Sequence, residues 1–249
     1  MNTLELCTLK KAADIQASYD AAITENPDNR GVPSKRQKRA VAKHLKFWAP
    51  GRTLRIAFLD GDQLFKDAVK VAAQRWLPHI NLKFEFVEGS EAEIRITSKS
   101  GYWSYIGTDA LTVPEQDEAT MSLSPDHHIS LTFFTANTIH EFGHALGAEH
   151  EHLHPEVTIP WNKEAVYKAH GAEHEDNYYA RSVVDKRFFN LLDASEVNYS
   201  PYDPQSIMHY AIRQEWTEGD FKIDLNLVLS EGDKAFMAKA YPYPESQSK

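Results

Sequence analysis

The spacing of apolar and polar residues changes along the chain, and this change predicts a mixed α+β fold. Residues 62–77 have apolar side chains at the intervals of one helix face, and Pro78 closes that segment. These apolar positions are Leu64, Phe65, Ala68, Val69, Ala72 and Trp76. Residues 82–87 and 93–97 instead alternate apolar with polar residues, as half-buried strands do. Residues 54–59 and 121–123 are predicted as two further strands.

Capping residues predict three more helices. Their expected bounds are residues 34–47, opened by a capping box at residues 34–37; residues 132–147, with the start at Thr132 or Thr135; and residues 230–241, capped by Ser230. Residues 1–33 are polar and turn-rich, and a long aromatic stretch follows Gly147 without a clear period. We therefore expect irregular structure after Gly147 and assign no element to residues 1–33.

Length and composition fit one globular unit that can bury a substantial core. The chain has 249 residues, of which 42% are hydrophobic and 25% charged, and no apolar run is long enough to span a membrane. Its net charge is −9, but residues 1–46 carry nine Lys/Arg and five Asp/Glu, a net +4, which leaves −13 for the remainder. An acidic body argues against nucleic acid as a partner.

Cysteine content and the first residues bear on the compartment. Cys7 is the only cysteine, so no intrachain disulfide can form, which fits a reducing compartment or a leaderless export route. The chain begins MNTLELCTLKK, where Glu5 interrupts the apolar residues and the lysines follow them. A signal peptide has the opposite order, and none is expected here. The localisation stays open.

The richest chemical pattern is the segment HEFGHALGAEH at residues 140–150, which has the form HExxHxxGxxH. His140 and His144 are four residues apart, so both imidazoles lie on one helix face and can reach one metal ion. Glu141 between them can hold and deprotonate a metal-bound water. If the helix continued, His150 would lie about 9 Å further along the axis than His144. Gly147 can stop the helix and turn the chain back, so that His150 becomes the third ligand.

A second motif, SIMHY, lies at residues 206–210. Taken alone, it would indicate a buried turn with a core methionine. Together with the histidine motif it resembles the astacin family of metzincin endopeptidases. Two more segments resemble small bacterial and fungal members of that family, WAPGRTLRIAFLD at residues 48–60 and GYWSYIG at residues 101–107. The likeness extends over about residues 47–242, and the disulfides of animal astacins are missing.

The resemblance implies a metzincin fold. We expect an upper subdomain at residues 47–147, with a twisted mixed sheet and two long helices, and an irregular lower subdomain at residues 148–249 with a C-terminal helix. Residues 47–249 would form one catalytic domain behind an N-terminal extension, residues 1–46, that serves as a pro-segment or arm. One Zn²⁺ per chain, a protein or peptide substrate, no nucleic-acid or membrane partner and a monomeric state are expected.

The resemblance also assigns roles to single residues. Met208 forms the Met-turn beneath the metal, and Tyr210 is a switchable zinc ligand that swings to stabilise the oxyanion. Glu141 acts as general base and then acid on a zinc-activated water, which attacks the peptide carbonyl. The family's glutamate that matches Glu151 contacts the mature N-terminus through water. Among the nearby histidines, only His150 has the ligand spacing.

The edge of the sheet and the N-terminal segment leave alternatives open. A substrate strand could bind antiparallel to the edge at Trp103, Ser104 and Tyr105, with ordinary strand packing as the favoured explanation for Trp103 and Tyr105. Residues 36–39 resemble a dibasic processing site before Ala40, or the exposed basic face of a helix. Cys7 is interpreted as a buried or free thiol, with an inhibitory zinc ligand as the alternative.

Three functions are compatible with these motifs. The first is a zinc endopeptidase, which we favour. The second is a zinc-bearing pseudoenzyme that binds peptides without turnover, and the presence of both Glu141 and Tyr210 argues against it. The third is a protein that binds nucleic acid or anionic membranes through its basic residues 36–46, and the acidic body argues against it.

Overall fold

The computed structural model describes residues 7–30, 44–125, 130–174, 177–194 and 200–244. Six strands form one mixed sheet in the order β1-β5-β6-β4-β2-β3. Their bounds are β1 Thr8–Lys10, β2 Thr53–Phe58, β3 Lys83–Val87, β4 Ile94–Thr97, β5 Tyr102–Tyr105 and β6 Met121–Leu123. Only β5 and β6 pair antiparallel, and the other four pairings are parallel. The α+β architecture predicted from the sequence is confirmed, and each strand predicted for residues 54–123 lies within one residue of its expected bounds.

Six α-helices accompany this sheet within the described residues. They are α1 Ile15–Glu25, α2 Gln63–Ala73, α3 Leu131–Ala145, α4 Lys163–Ala169, α5 Tyr178–Phe188 and α6 Glu231–Ala240. The helices predicted near residues 62–77, 132–147 and 230–241 correspond to α2, α3 and α6. None of the described helices is long and apolar enough to cross a membrane.

Helix α3 lies at the centre of the main core. Ten of its 15 residues are buried, and aromatic side chains fix its C-terminal half through its backbone carbonyls. The indole of Trp76 donates to Ile139 O at 2.9 Å, and the indole of Trp48 donates to Ala145 O at 2.8 Å. The hydroxyl of Tyr241 donates to Leu146 O at 2.6 Å. These bonds tie the helix to the start of the domain and to its C-terminal end.

The sequence predicted no element in residues 1–33, but their described part contains a strand and a helix. Asp14 caps α1 by accepting from two backbone N–H groups, and α1 buries Ser18 and Ala22. The Ser18 hydroxyl donates to the buried carboxylate of Asp109 at 2.5 Å. Lys46 forms an ion pair with the same carboxylate. The hydrogen bond and the ion pair to Asp109 help to hold α1 in place, although the helix buries few large apolar side chains. For that reason the sequence shows no amphipathic pattern in this segment.

The helix predicted to reach Phe47 is wrong at its C-terminal end. Residues 34–43 lie outside the described residues, which include neither the capping box nor the dibasic sequence. Residues 45–49 are not helical. The side chain of Asn29 replaces helical hydrogen bonds there, since it accepts from Phe47 N at 3.0 Å and donates to Phe47 O at 2.7 Å. A long-range amide contact therefore overrides the local helix signal.

The lower half is more regular than expected, because it contains α4 and α5. Both helices pack on a second apolar cluster that includes Val166, Val184, Phe188 and Trp216. Asn162 and Asn177 cap the two helices through their side-chain oxygens. Their polar composition and short length explain why the sequence pattern did not indicate them.

Candidate metal centre

Helix α3 presents two of the predicted ligands side by side. His140 and His144 lie one turn apart, with ring centroids separated by 4.6 Å, and both are buried. The Nδ1 of His140 lies 2.7 Å from Ile207 O, and the Nδ1 of His144 lies 2.8 Å from Ala148 O. Because a carbonyl can only accept, each Nδ1 carries the proton. The lone pair of each ring is then on Nε2, which is the arrangement that a metal ligand requires.

Gly147 brings the third histidine to the same place. Its φ of +96° ends α3, where Gly147 N donates to His144 O at 2.8 Å and Ala148 N donates to Gly143 O at 3.0 Å. This pair of bonds is a Schellman motif, which reverses the chain direction. The Nε2 atoms of His144 and His150 consequently lie 3.0 Å apart. The turn predicted at Gly147 is confirmed.

Cys7 is the fourth member of the group. Its Sγ and one nitrogen each from His140, His144 and His150 all lie within 4.8 Å of one another, and all four residues are buried. The N-terminal segment therefore crosses the histidine cluster. From the sequence, this placement was the alternative to an ordinary buried thiol. No local pattern distinguishes the two, because Cys7 is 133 positions from His140.

Burial controls the protonation of the site. It lowers the pKa of His140 to about 4 and holds the pKa values of His144 and His150 well below their usual range. All three imidazoles are therefore neutral near pH 7, which is the form that binds a metal. Burial also raises the pKa of Glu141 to about 8. Burial, and then the nearby Glu141 carboxylate, raise the pKa of the Cys7 thiol.

The donor set fits zinc. Two ligands at 2.0–2.1 Å from a tetrahedral zinc are roughly 3.3 Å apart, close to the observed His144–His150 separation of 3.0 Å. The Nε2 of His140 and both carboxylate oxygens of Glu141 are buried and accept no hydrogen bond of ordinary geometry from the described residues. Such buried polar atoms need a partner, and a cation among the histidines with a water beside Glu141 would supply it.

The SIMHY segment lies directly beneath α3. Met208 is buried, and a Cβ atom built on Gly143 would meet its sulfur at 2.4 Å, so Met208 packs against the helix between the two histidines. The backbone N–H of Glu151 donates to Met208 O at 3.0 Å, which joins the segment to the loop of the third histidine. Met208 thus lies where a Met-turn is expected.

Tyr210 contacts the N-terminal segment. Its ring centroid is 4.4 Å from that of His150, and its hydroxyl donates to Cys7 O at 2.5 Å. Arg187 Nη2 donates to the same carbonyl at 2.8 Å. Arg187 was not singled out from the sequence, because a basic residue in the last turn of a helix carries no specific signal.

The predicted substrate edge is covered by the chain itself. Trp103, Ser104 and Tyr105 belong to β5, which pairs with β6 on one side and with β1 on the other. Lys10 of β1 places its ammonium 3.3 Å from the Trp103 ring centroid. Strand β1 runs parallel to β5, whereas we expected a substrate to run antiparallel. The N-terminal segment therefore occupies this edge in the direction opposite to the one expected for a substrate.

The remaining polar residues near the site are buried and bonded. His152 Nε2 donates to Arg187 O at 2.8 Å, and His154 Nε2 donates to Ser200 O at 2.7 Å, so neither faces solvent. The ring of His209 is hydrogen-bonded through Nε2 to the Tyr202 hydroxyl and through Nδ1 to the backbone carbonyl of Tyr210. The structural role predicted for His209 agrees with these contacts.

Glu151 borders a cavity of about 120 Å³ behind the histidine loop. Its carboxylate accepts a 2.8 Å hydrogen bond from Asp203 N, and burial raises its pKa to about 7. Lys46 and Phe47 line the same cavity. The predicted contact of Glu151 with a mature N-terminus stays a prediction, since residues around Ala40 lie outside the described ones.

Comparisons with known proteins agree with this geometry. The family model described as Astacin (Peptidase family M12A) matches residues 40–222. A solved structure titled "Structure of myroilysin" is 39% identical, with 80% of this chain and 97% of that chain covered and a TM-score of 0.73. A second, "Crystal structure of myroilysin", is 34% identical and covers 95% of this chain and 100% of that chain at a TM-score of 0.61.

A more distant neighbour supports the fold alone. High choriolytic enzyme 1, a hatching enzyme zinc-protease from Oryzias latipes (medaka fish), is 19% identical, with 80% of this chain and 96% of that chain covered and a TM-score of 0.56. A search among curated proteins gave no match. With the three-histidine site and a family match over most of its length, the chain belongs to the astacin family, peptidase family M12A, and is a zinc metalloendopeptidase.

Proposed function

We propose that this endopeptidase hydrolyses internal peptide bonds of proteins with Glu141 as general base and acid and Tyr210 as oxyanion donor. The observation that carries the proposal is the pair of buried Glu141 carboxylate oxygens, which accept no hydrogen bond of ordinary geometry from the described residues beside three neutral imidazoles. When bound, zinc supplies a Lewis acid that polarises the substrate carbonyl and acidifies water. His140, His144 and His150 would hold it.

The chain's own groups account for the proton movements. Glu141 takes the proton of the attacking water on a carboxylate oxygen and later passes it to the leaving amine. Tyr210 donates its hydroxyl hydrogen to the oxygen that develops negative charge. The Nδ1–H bonds of His140 and His144 to backbone carbonyls keep both rings in the ligand tautomer throughout.

The placement of Cys7 among the histidines supports a second part of this proposal. The full-length chain would be latent, that is, held in an inactive form. With zinc bound, the Cys7 thiolate would be a fourth ligand beside the three imidazoles and would exclude the water that the reaction needs. The thiol would give up its proton to solvent on binding. Strand β1 covers the expected substrate edge at the same time. Because β1 runs parallel to β5, it does not have the antiparallel direction expected for a substrate.

One variant tests the catalytic role. Glu141→Ala should retain about one zinc per chain, measured by atomic absorption, and should lose at least about 10²-fold in cleavage of an unfolded protein, the usual scale for a general base. A chelator should abolish cleavage by the parent protein. Undiminished cleavage by Glu141→Ala would remove Glu141 from the mechanism.

A spectroscopic measurement tests latency without using activity. Full-length protein loaded with Co²⁺ should show thiolate-to-cobalt charge-transfer absorption in the near ultraviolet, and Cys7→Ser should lose it. Thr8→Ala, a change at an exposed neighbour in β1, should keep it. If the absorption is missing in the parent protein, Cys7 is an ordinary buried thiol.

A further inference from the structure

Two side chains from different parts of the lower half converge on one backbone oxygen. Cys7 O accepts from the hydroxyl of Tyr210 at 2.5 Å and from Arg187 Nη2 at 2.8 Å. The sulfur of the same residue lies among the metal-binding histidines. The shared acceptor therefore belongs to a peptide unit that lies directly across the metal site.

The body of the protein, and not the N-terminal segment, positions Arg187. The residue lies in the last turn of α5, and its own carbonyl accepts from His152 Nε2 at 2.8 Å. The next residue, Phe188, is fully buried, and its ring centroid is 6.1 Å from that of Tyr210. The guanidinium carbon of Arg187 is 6.0 Å from the Tyr210 ring centroid. These contacts do not involve Cys7, so Arg187 would keep its place beside Tyr210 when Cys7 leaves.

We propose that Arg187 is a second donor for the reacting carbonyl, and that it binds the developing oxyanion of the substrate together with Tyr210. This inference rests on the endopeptidase function proposed above. Cys7 O is then an internal stand-in for a substrate carbonyl, held by the two donors that the reaction uses. Arg187 acts as a catalytic residue in this role, because it touches the reacting oxygen.

Physical chemistry favours this role over simple peptide binding. A guanidinium bears a permanent charge, and its hydrogen bonds to an anionic oxygen are roughly twice as strong as neutral ones. The gain is therefore larger for an oxyanion than for a neutral carbonyl, so the interaction stabilises the transition state more than the substrate. The backbone of Arg187 is held by α5 and His152, so the donor starts from a fixed position beside Tyr210.

Steady-state kinetics on full-length Cys7→Ala protein separate catalysis from latency. An N-terminal segment that competes with substrate raises the apparent KM and leaves kcat unchanged at saturating peptide. Arg187→Met should lower kcat by about 10²- to 10³-fold, the scale of a lost oxyanion donor, with the apparent KM unchanged or lower. Arg187→Lys should recover part of kcat, because it keeps the charge without the planar fork.

A matched control lies on the same helix. Arg181 forms an ion pair with Glu164, and its guanidinium carbon lies 4.2 Å from the Tyr167 ring centroid, away from Cys7 O. Arg181→Met should leave kcat within about twofold of the parent, because the contacts of Arg181 are with Glu164, Tyr167 and the backbone of residues 172–173. An unchanged kcat in Arg187→Met, with only a lower KM, would mean that Arg187 holds the latent segment and takes no part in catalysis.

Inhibitor binding gives a second measurement. A peptide phosphinate mimics the tetrahedral oxyanion, whereas a peptide hydroxamate reports general access to the metal. Because the N-terminal segment competes with both inhibitors, its effect cancels in the ratio of their dissociation constants. Arg187→Met should shift this ratio against the phosphinate by about tenfold or more. An unchanged ratio overturns the role of Arg187. If the Cys7→Ala parent neither cleaves peptides nor binds either inhibitor, the endopeptidase mechanism itself fails.

Discussion

The carboxylate of Asp233 accepts a 2.8 Å hydrogen bond from the backbone N–H of Ile207, and thereby joins the start of α6 to the SIMHY segment. The same carboxylate accepts from the Ser206 hydroxyl at 2.6 Å and from Ser230 N at 2.9 Å. Ile207 in turn offers its carbonyl to His140. Asp233, the third helical residue of the capping box that Ser230 opens, is therefore linked through Ile207 to the predicted metal ligand His140.

Replacing Asp233 by Asn should destabilise the protein by about 2–4 kcal/mol, because an amide NH₂ would face backbone N–H or hydroxyl donors in a buried site. Urea unfolding measures this loss, and a chelator competition should show weaker zinc binding. Glu231→Gln on the same helix removes only an exposed pair with Lys234 and should leave the urea unfolding midpoint unchanged within error. Equal unfolding midpoints for the two variants would contradict the anchoring role.

Gly143→Ala should disturb the packing of Met208 against α3. The added Cβ would lie 2.4 Å from the Met208 sulfur and 3.2 Å from Trp76 Cζ2, so a cost of about 1–3 kcal/mol is expected. A double-mutant cycle with Met208→Ala checks the cause. Removing the methionine side chain should relieve the clash, and a favourable coupling of at least about 1 kcal/mol is expected. Strict additivity would exclude a Met208 contact as the source.

Cys7→Ala should raise the initial rate of peptide cleavage by the full-length protein by at least about tenfold, equivalent to about 1.4 kcal/mol of lost inhibitory binding. The reason is that the alternative ligand for the open zinc position disappears. Thr8→Ala, with its exposed side chain in β1, is the control and should leave the rate unchanged. A Cys7→Ala rate no higher than that of the parent would argue against latency through the thiol.

Stability of the metal-free protein should fall as the pH decreases from about 6.5 towards 4. Burial lowers the pKa of His209 to about 4 and that of His152 to about 3. Because the unfolded chain protonates these residues near pH 6.5, it binds more protons than the folded chain in this window.

Each such histidine should contribute a slope of roughly 1 kcal/mol per pH unit, measured by urea unfolding in chelator. His209→Gln should make the slope shallower by about one such contribution. A stability that is constant between pH 6.5 and 5 would show that these histidines are accessible and titrate normally.

Local spacing explains why the metal site could be predicted. His140 and His144 are one turn apart, and Gly147 supplies the positive φ that returns His150. The strands and α2 were predicted for the same reason, since their apolar periods are read over a few residues. The short helices α4 and α5 lack such a period and depend on packing around Phe188, which a local pattern does not reveal.

The sequence by itself determined the chemistry of this protein, namely three imidazoles, a glutamate and a glycine at fixed local intervals. Only the tertiary structure decided what surrounds them. It placed Cys7 in the histidine cluster, paired β1 with β5 in parallel, and directed Arg187 and Tyr210 to one carbonyl. Helical spacing is set by bonds between near neighbours, whereas these contacts join segments about 95 to 203 positions apart and arise only when the whole core has packed.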